Sequence, residues 1–220
     1  MRTQRAAIYG GTFDPVHNGH IEVARRVQKI FALDEVIFVP ACAPPHKRSA
    51  AITSAFHRFA MLALATENDD RLRISTIELD QPDRPYAVET VARMKTELGD
   101  QSRLFFLMGA DSWSEITTWR DWQSLLKMSD QIVMTRPGYN LNAAAVDGAT
   151  IVDVRGLGES QIPVGTNDRT PKAFLTDAVF ADISATAIRD AARKREGERL
   201  RQMVPASVAA YIEKNDLYKN

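Results

Sequence analysis

The chain alternates short apolar runs with amphipathic segments of helical period, and this alternation restricts the possible folds more than any other feature. The run Glu35–Ala41, EVIFVPA, is rich in β-branched residues and has no polar face, as expected for a strand covered on both sides. From Ile21 onward, apolar residues recur at three- and four-residue spacing, which predicts an amphipathic helix. Repeated strand and helix units of this kind predict an α/β fold, a Rossmann-like open, mostly parallel sheet with helices on both faces.

The same patterns give expected positions for the remaining elements. Further strands are predicted at Arg5–Tyr9, Leu72–Leu79, Arg103–Asp111 and Gln131–Gly138. Further helices are predicted at Ser54–Glu67, Val88–Leu98, Ser184–Lys194 and Ala206–Lys214. The stretch Arg155–Phe174 is rich in Gly, Pro, Thr, Asn and Asp and is expected to be a long loop, either a surface insertion or a segment ordered by a ligand.

Length and composition limit the class of protein. With 220 residues, 45% of them hydrophobic, we expect a single domain over residues 1–220, its C-terminal helical part (about 184–220) packed on the sheet. Lys+Arg and Asp+Glu both number 28, so there is no net field to hold nucleic acid or an anionic membrane. The single cysteine, Cys42, excludes an internal disulfide, and no signal peptide or membrane span is recognisable. We therefore expect a soluble, cytoplasmic protein.

The stretch that follows the first predicted strand, IYGGTFDPVHNGH (Ile8–His20), admits three interpretations: a metal site, a phosphate site or an ordinary turn. A zinc-protease type of site requires a Glu directly after the first histidine, and none follows His17, so no metal ligands are assigned. Gly10 and Gly11 would let the backbone approach an oxyanion, and a helix beginning near Gly19 would add its free N–H groups. The phosphate interpretation is favoured, with His17 and His20 as hydrogen-bond donors.

A second polar block, ISATAIR (Ile183–Arg189), has the residue types of a polyphosphate site. Ser184 is a good N-cap for the helix that follows, Thr186 falls in the first turn, and Arg189 in the next. These groups can converge on a phosphate, although helix capping with a solvated arginine would use the same residues. Together with the first stretch, the block favours a phosphate site.

GGTFDPVHNGH resembles the signature of the nucleotidyltransferase superfamily, in which His17–His20 matches the (T/H)xGH element. Within this superfamily the chain is similar to the bacterial nicotinate mononucleotide adenylyltransferases. The resemblance extends over nearly the whole chain, because further family blocks follow in the family's order. They are PPHK (Pro44–Lys47), PYAVET (Pro85–Thr90), MGADSW (Met108–Trp113), TWRDW (Thr118–Trp122), TRPGY (Thr135–Tyr139), ISATAIR and VPASVAAYIEKNDLY (Val204–Tyr218).

The resemblance implies a nucleotidyltransferase-type fold and the transfer of AMP from ATP to nicotinate mononucleotide, in NAD biosynthesis. It implies catalytic roles for His17, His20, Lys47 and Arg189. The implied ATP-binding residues are Gly10, Gly11, Thr12, Phe13, Gly19, His20, Gly109, Asp111, Ile183, Ser184, Thr186 and Arg189. The implied nicotinate mononucleotide-binding residues are Ala87, Trp119, Arg120 and Arg136. Mg²⁺ is expected to accompany ATP, and small molecules rather than nucleic acid or membrane are the expected partners, with monomer and homo-oligomer both open.

Two details of the mononucleotide site need separate interpretation. Trp119 is expected to stack on the pyridine ring, whereas Trp113 and Trp122 are interpreted as helix-packing residues. Backbone N–H groups near Ala87 and Arg120 would read the nicotinate carboxylate. Many relatives have Thr where this chain has Ala87, which is tolerable if the backbone N–H makes the contact and alters specificity if a hydroxyl does.

Three other functions compete with this hypothesis. One is another enzyme of the superfamily, such as a pantetheine-phosphate adenylyltransferase or a cytidylyltransferase; against it stand PPHK, the Trp119 region and the longer C-terminal half, which the small pantetheine enzymes lack. A nucleotide-binding sensor without catalysis would be expected to have lost the histidine pair or the ISATAIR block, and both are intact. Nucleic-acid binding is disfavoured by the zero net charge.

Overall fold

A computed structural model describes residues 3–42, 52–81, 85–99, 101–135, 146–157, 170–178 and 183–219. In these ranges seven strands form one sheet in the order β3-β2-β1-β4-β5-β7-β6, and every neighbouring pair is parallel. The strands are β1 (Arg5–Gly11), β2 (Glu35–Pro40), β3 (Leu72–Ile74), β4 (Arg103–Gly109), β5 (Asp130–Met134), β6 (Thr150–Asp153) and β7 (Lys172–Thr176). The prediction of an open parallel sheet is confirmed.

Helices cover both faces of the sheet, as predicted. They are α1 (Asn18–Ile30), α2 (Ala55–Thr66), α3 (Ala87–Leu98), α4 (Ala110–Ser114), α5 (Trp122–Met128), α6 (Ala185–Arg193), α7 (Gly197–Met203) and α8 (Ala206–Lys214). One hydrophobic core joins α1, α2 and the three C-terminal helices to the sheet. A second core on the opposite face contains α3, α4 and α5, with Trp113 fully buried in it. Trp113 is therefore a packing residue, as the sequence indicated.

The order of the strands creates a crevice between β1 and β4. From β1 the chain builds outward through β2 and β3 to one edge, and it then returns to place β4 on the other side of β1. Tyr9 lies opposite Leu107, so the two strands end nearly level with one another. Connections leave the two carboxyl ends in opposite directions, which opens the crevice where ligands bind in folds of this type.

Strand β3 is shorter than predicted, because a turn replaces its second half. Ser75 donates the last backbone hydrogen bond to Phe38, and its hydroxyl then accepts a hydrogen bond from the Ile77 N–H. The Thr76 hydroxyl donates to the Asp80 carboxylate at 2.6 Å, and the Thr76 carbonyl accepts from the Asp80 N–H at 2.9 Å. These local side-chain bonds compete with the strand ladder and end it.

The prediction of a loop over Arg155–Phe174 is wrong at the C-terminal end of this range, where β7 begins at Lys172. Ala173, Phe174 and Leu175 are fully buried and pair with β5, so hydrophobic burial rather than local composition decides this segment. Residues 158–169 of the predicted loop lie outside the described residues.

Four described elements had no predicted counterpart, namely β6, α4, α5 and α7, and α4 begins inside the predicted strand Arg103–Asp111. Strand β6 has only four residues at the sheet edge, and α7 starts at Gly197, a weak helix former, with Leu200 as its one buried residue. Among the described helices, none has the length and apolar content needed to cross a membrane.

Candidate active site

A cavity of about 660 Å³ lies at the carboxyl ends of β1 and β4, in the crevice between them. One side of it is formed by the end of β1 and the following residue, Gly10 to Thr12. The other side is formed by the start of α3 and the turn around Trp119. Gly109, at the end of β4, also lines the cavity. The volume is that of a small-molecule site.

Of the two glycines at the end of β1, packing requires only Gly11. A Cβ atom on Gly11 would lie 2.9 Å from the Phe13 ring, a distance that real Cβ atoms do not show, so glycine lets that ring fold back. A Cβ on Gly10 would meet only Phe106, at 4.0 Å, an ordinary contact. The Phe13 ring packs edge-on against Tyr9 and His20 and so fixes the base of the loop that follows β1.

His17 and His20 form a stacked pair at the start of α1. His17 is the N-cap residue, and the two ring centroids are 3.6 Å apart with an interplanar angle of 27°. The His17 backbone N–H donates to His20 Nδ1 at 3.2 Å. Because His20 Nδ1 is an acceptor, the proton of the neutral ring sits on Nε2, which is then available as a donor. Among the described residues, nothing pairs with the buried His17 Nδ1.

Burial keeps both histidines neutral at physiological pH. It lowers the pKa of His17 to about 4. The pKa of His20 is lowered well below its usual value, first by burial and then by the neighbouring charge that His17 would carry. Two stacked imidazolium rings would repel each other, so the pair offers neutral N–H donors rather than fixed positive charge.

The ISATAIR block forms the first turns of α6 and is joined to the loop after β1. The Ser184 hydroxyl caps the helix by accepting from the Ala187 N–H at 3.2 Å. Arg189 donates to the Asp14 carbonyl at 2.8 Å and to the Thr186 hydroxyl at 3.2 Å. These contacts use two of the five N–H groups of its guanidinium. The structure thus brings together two motifs that lie 175 residues apart.

Among the described residues, the opposite side of the cavity carries aromatic rings and the Arg120 guanidinium. The Trp119 ring is half-buried and meets Phe106 edge-on, with ring centroids 6.2 Å apart. The Arg120 guanidinium lies over the Tyr86 ring at 4.6 Å. Ala87, the first residue of α3, is also on this wall, where the helix dipole favours negative charge. An aromatic surface next to positive electrostatics suits a ring that carries a carboxylate.

Glu78 and Thr90 also line the cavity, and sequence reasoning missed both of them. The Thr90 hydroxyl donates to Glu78 Oε1 at 2.8 Å, and burial raises the pKa of the Glu78 carboxyl. The predicted strand Leu72–Leu79 includes Glu78 and would point its side chain to one face of the sheet. Glu78 lies instead in the turn after β3, and this explains why no pattern identified it.

The other predicted site residues occupy varied positions. Gly19 is buried in the first turn of α1, and Asp111 is exposed in the first turn of α4 after the N-cap Gly109. Ile183 packs against the core just before α6. Lys47 and Arg136 lie outside the described residues. Within the described ranges, no three His, Cys, Asp or Glu side chains are grouped in a way that would hold a metal ion.

Comparison with known proteins finds a matching family and relatives that align with nearly the whole chain. The sequence pattern of the family described as cytidylyltransferase-like matches residues 8–191. A probable nicotinate-nucleotide adenylyltransferase of Thermoanaerobacter sp. (strain X514) is 37% identical over 99% of this chain and 96% of its own. Another, from Thermus thermophilus, is 35% identical over 98% of this chain and 100% of its own.

A solved structure shares the fold at low sequence identity. The nicotinic acid mononucleotide adenylyltransferase of Plasmodium falciparum, complexed with NaAD, superposes with a TM-score of 0.70 and 18% identity. The superposition covers 98% of this chain and 97% of that one. At this identity the likeness concerns the fold.

The low pKa of His17 predicts a specific loss of stability in acid. Between pH 6.5 and about 4 the unfolded chain binds a proton at His17 that the folded protein does not, so stability falls as pH is lowered through this window. The full effect of this histidine is about 3 kcal/mol. Urea unfolding of wild type and His17→Asn from pH 7 to 4 should show a shallower decline in the variant, since Asn caps helices well but does not titrate.

His57→Asn is the matched control for this measurement. His57 lies on α2 and bonds to the Tyr211 hydroxyl, away from the start of α1, so its replacement leaves the contribution of His17 in place. Identical pH dependence in His17→Asn and wild type would show that His17 is not held neutral by the fold.

Proposed function

The chain belongs to the cytidylyltransferase-like family and, within it, to the nicotinate-nucleotide adenylyltransferases, and we propose that the cavity at β1 and β4 carries out their reaction. The enzyme transfers AMP from ATP to nicotinate mononucleotide and forms nicotinate adenine dinucleotide and pyrophosphate, a step in NAD biosynthesis. The observation that carries this proposal is the division of one cavity into a Gly-rich strand end and an aromatic wall. Two nucleotides can therefore meet between the two sides.

The reaction needs no nucleophile from the protein. The phosphate of nicotinate mononucleotide is already anionic and attacks the α-phosphorus of ATP in line, while the bond from that phosphorus to the pyrophosphate oxygen breaks. What the protein contributes is alignment of the two substrates and stabilisation of the charge on the five-coordinate phosphorus and the leaving group. Neutral donors and guanidinium groups are suited to this task.

We assign the phosphate contacts to His17, His20 and Arg189. His20 presents Nε2–H as a donor because its Nδ1 is already engaged, and the pair stands at the N-terminus of α1, where the dipole favours anions. Arg189 is held against the same loop by its bond to Asp14 and keeps further N–H groups for oxygen acceptors. Lys47, outside the described residues, remains a predicted fourth contact.

We assign the adenosine part of ATP to the strand ends and the start of α6. Gly10, Gly11, Thr12 and Gly109 line the cavity and allow close approach of a nucleotide. Asp111, exposed and next to the cavity-lining Ser112, is proposed as a ribose ligand, and Ser184 and Thr186 lie at the start of α6 beside Arg189. Phe13, Gly19 and Ile183 are assigned to the same nucleotide through backbone contacts and packing.

The nicotinate group belongs on the aromatic wall. Trp119 supplies a stacking surface, and Ala87 and Arg120, on the same wall, are proposed to offer backbone N–H groups and a cation to the carboxylate. Ala87 has no hydroxyl. In this chain the backbone N–H must therefore bind the nicotinate carboxylate, whereas relatives with Thr at this position could use either group. Arg136 remains a predicted contact outside the described residues.

We propose that ATP enters as its Mg²⁺ complex. Mg²⁺ typically keeps several waters and binds through substrate phosphates, which needs no cluster of protein carboxylates. When bound, it would neutralise phosphate charge during the transfer. A cytoplasmic location remains a prediction, and no oligomeric state is proposed.

A substrate comparison tests the proposed function. Purified protein given ATP, Mg²⁺ and nicotinate mononucleotide should release pyrophosphate much faster than with nicotinamide mononucleotide or phosphopantetheine, because only the first substrate offers a pyridine carboxylate to the Arg120 wall. Pyrophosphate release is followed by a coupled phosphate assay. Equal or faster turnover of either alternative would disprove the substrate assignment.

Removal of His20 should slow the reaction without unfolding the protein. The loss of one preorganised donor to transition-state charge typically costs about 3–4 kcal/mol, so His20→Ala should lower kcat by roughly 10²- to 10³-fold. His57→Ala, which removes an imidazole on α2, should retain wild-type kcat. Circular dichroism melting of both variants checks folding, and near wild-type activity of His20→Ala would exclude His20 from the chemistry.

A further inference from the structure

Asp14, in the loop between β1 and α1, is a junction of distant parts of the chain. Its buried carboxylate accepts a hydrogen bond from the Tyr218 hydroxyl at 2.8 Å and another from the Thr53 N–H at 3.3 Å. Its backbone carbonyl accepts the bond from Arg189 at 2.8 Å. These partners are 204, 39 and 175 residues away, so tertiary structure alone creates the junction.

Arg58, on α2, also stabilises the loop between β1 and α1. Its side chain is 1% exposed, and an unpaired buried cation would be very unfavourable. Burial lowers the pKa of Arg58, and the charge of Asp14 opposes this change. The guanidinium donates to four backbone carbonyls, those of Thr12 at 2.7 Å, Ala41 at 2.7 Å, Cys42 at 3.2 Å and Thr53 at 3.0 Å. It thereby ties the ends of β1 and β2 to the segment before α2.

The loop needs such outside support because its own backbone is unfavourable. Phe13 has φ of +50°, in the left-handed region that residues with a side chain seldom adopt. On the other side of the junction, Tyr218 has φ of +65°. Strained backbone of this kind persists only when the surrounding contacts fix it. The bond between Tyr218 and Asp14 fixes both segments at once.

Tyr218 acts as a neutral donor in this arrangement. Burial, the first cause, and the Asp14 carboxylate both raise the pKa of its phenol, so the hydroxyl keeps its proton. The Arg58 guanidinium is engaged by four backbone carbonyls and the Tyr218 hydroxyl by Asp14, so neither group is assigned to the substrates. Their effect on the reaction must therefore pass through the loop.

We propose that Tyr218 and Arg58 are positioning residues that hold the Asp14 loop where it aligns Arg189 and the His17–His20 pair with the nucleotide phosphates. The C-terminal segment after α8 is then part of the catalytic apparatus, although it contributes no group to the substrates. The reaction invoked here is the one assigned under the proposed function, on which this inference rests.

Tyr218→Phe tests the proposal, because it removes one hydroxyl and keeps the ring. Removing a hydrogen bond to a charged group is expected to change a rate or an affinity by about tenfold. We therefore expect kcat/KM for ATP to fall by this factor. The loss should include a raised KM for ATP, with KM for nicotinate mononucleotide unchanged. A purely structural defect would instead lower the amount of folded enzyme, and so kcat alone, with both KM values unchanged. Rates are measured well below the melting temperature of the variant.

Tyr211→Phe is the matched control. Tyr211 also lies in the C-terminal part of the chain and also loses one hydroxyl bond, to His57 Nδ1 at 2.9 Å, but it does not touch Asp14. Its kinetic constants should stay within about twofold of wild type. Because Tyr218 acts through Asp14, the effect of Tyr218→Phe should disappear in an Asp14→Ala background. If Asp14→Ala does not fold, the KM comparison for Tyr218→Phe alone decides.

The outcomes separate this inference from the function on which it rests. Wild-type protein that releases no pyrophosphate from ATP and nicotinate mononucleotide would overturn both. Active wild type with Tyr218→Phe indistinguishable from Tyr211→Phe would overturn the positioning role and leave the proposed function standing. A tenfold loss that a lower fraction of folded enzyme accounts for, with both KM values unchanged, would also overturn it.

Discussion

The position of the site follows from two adjacent parallel strands, β1 and β4, whose connections diverge at their carboxyl ends. Because β1 and β4 end at the same level and the chain leaves them in opposite directions, a crevice opens that no local segment can fill. Phosphate-binding groups must then come from loops and helix starts at this edge. The first motif follows β1 directly, whereas the second arrives on α6 and is fixed by the bond from Arg189 to the Asp14 carbonyl. A site made from two ends of the chain results from sheet topology, and the nucleotide is proposed to bind between them.

The electrostatics of the site differ from a simple basic patch. The chain has equal numbers of acidic and basic residues, and its two site histidines are kept neutral by burial and by their mutual stacking. Neutral donors bind phosphate oxygens without attracting anions indiscriminately. Positive charge is supplied instead by a few guanidinium groups, each held by carbonyl or aromatic partners, as Arg189 and Arg120 are. In this account, directional hydrogen bonds at the transition state matter more than long-range attraction.

Sequence reasoning identified what local patterns encode and missed what tertiary contacts decide. The alternation of strands and helices predicted the parallel sheet, and Ser54 and Ser184 cap helices where expected. Glu78 escaped notice because side-chain bonds at Ser75 and Thr76 end β3 early and turn the chain toward the cavity. Strand β7 was hidden inside a segment of loop-like composition, and its burial against β5 is a long-range effect. Arg58 lies in no quoted motif, and the block Val204–Tyr218 gives no indication of what Tyr218 contacts, since the partners of both residues are backbone carbonyls and a carboxylate that only tertiary structure brings near.

AMP is proposed to pass directly between two bound nucleotides by in-line displacement, while the protein aligns them and stabilises the developing charge. The stereochemistry at the α-phosphorus distinguishes this single displacement from a two-step reaction. ATP that carries a single-configuration sulfur substitution at this phosphorus should react with nicotinate mononucleotide to give a dinucleotide with inverted configuration, because one displacement inverts the centre. Retention of configuration would require two displacements through a covalent AMP–protein intermediate and would contradict this account.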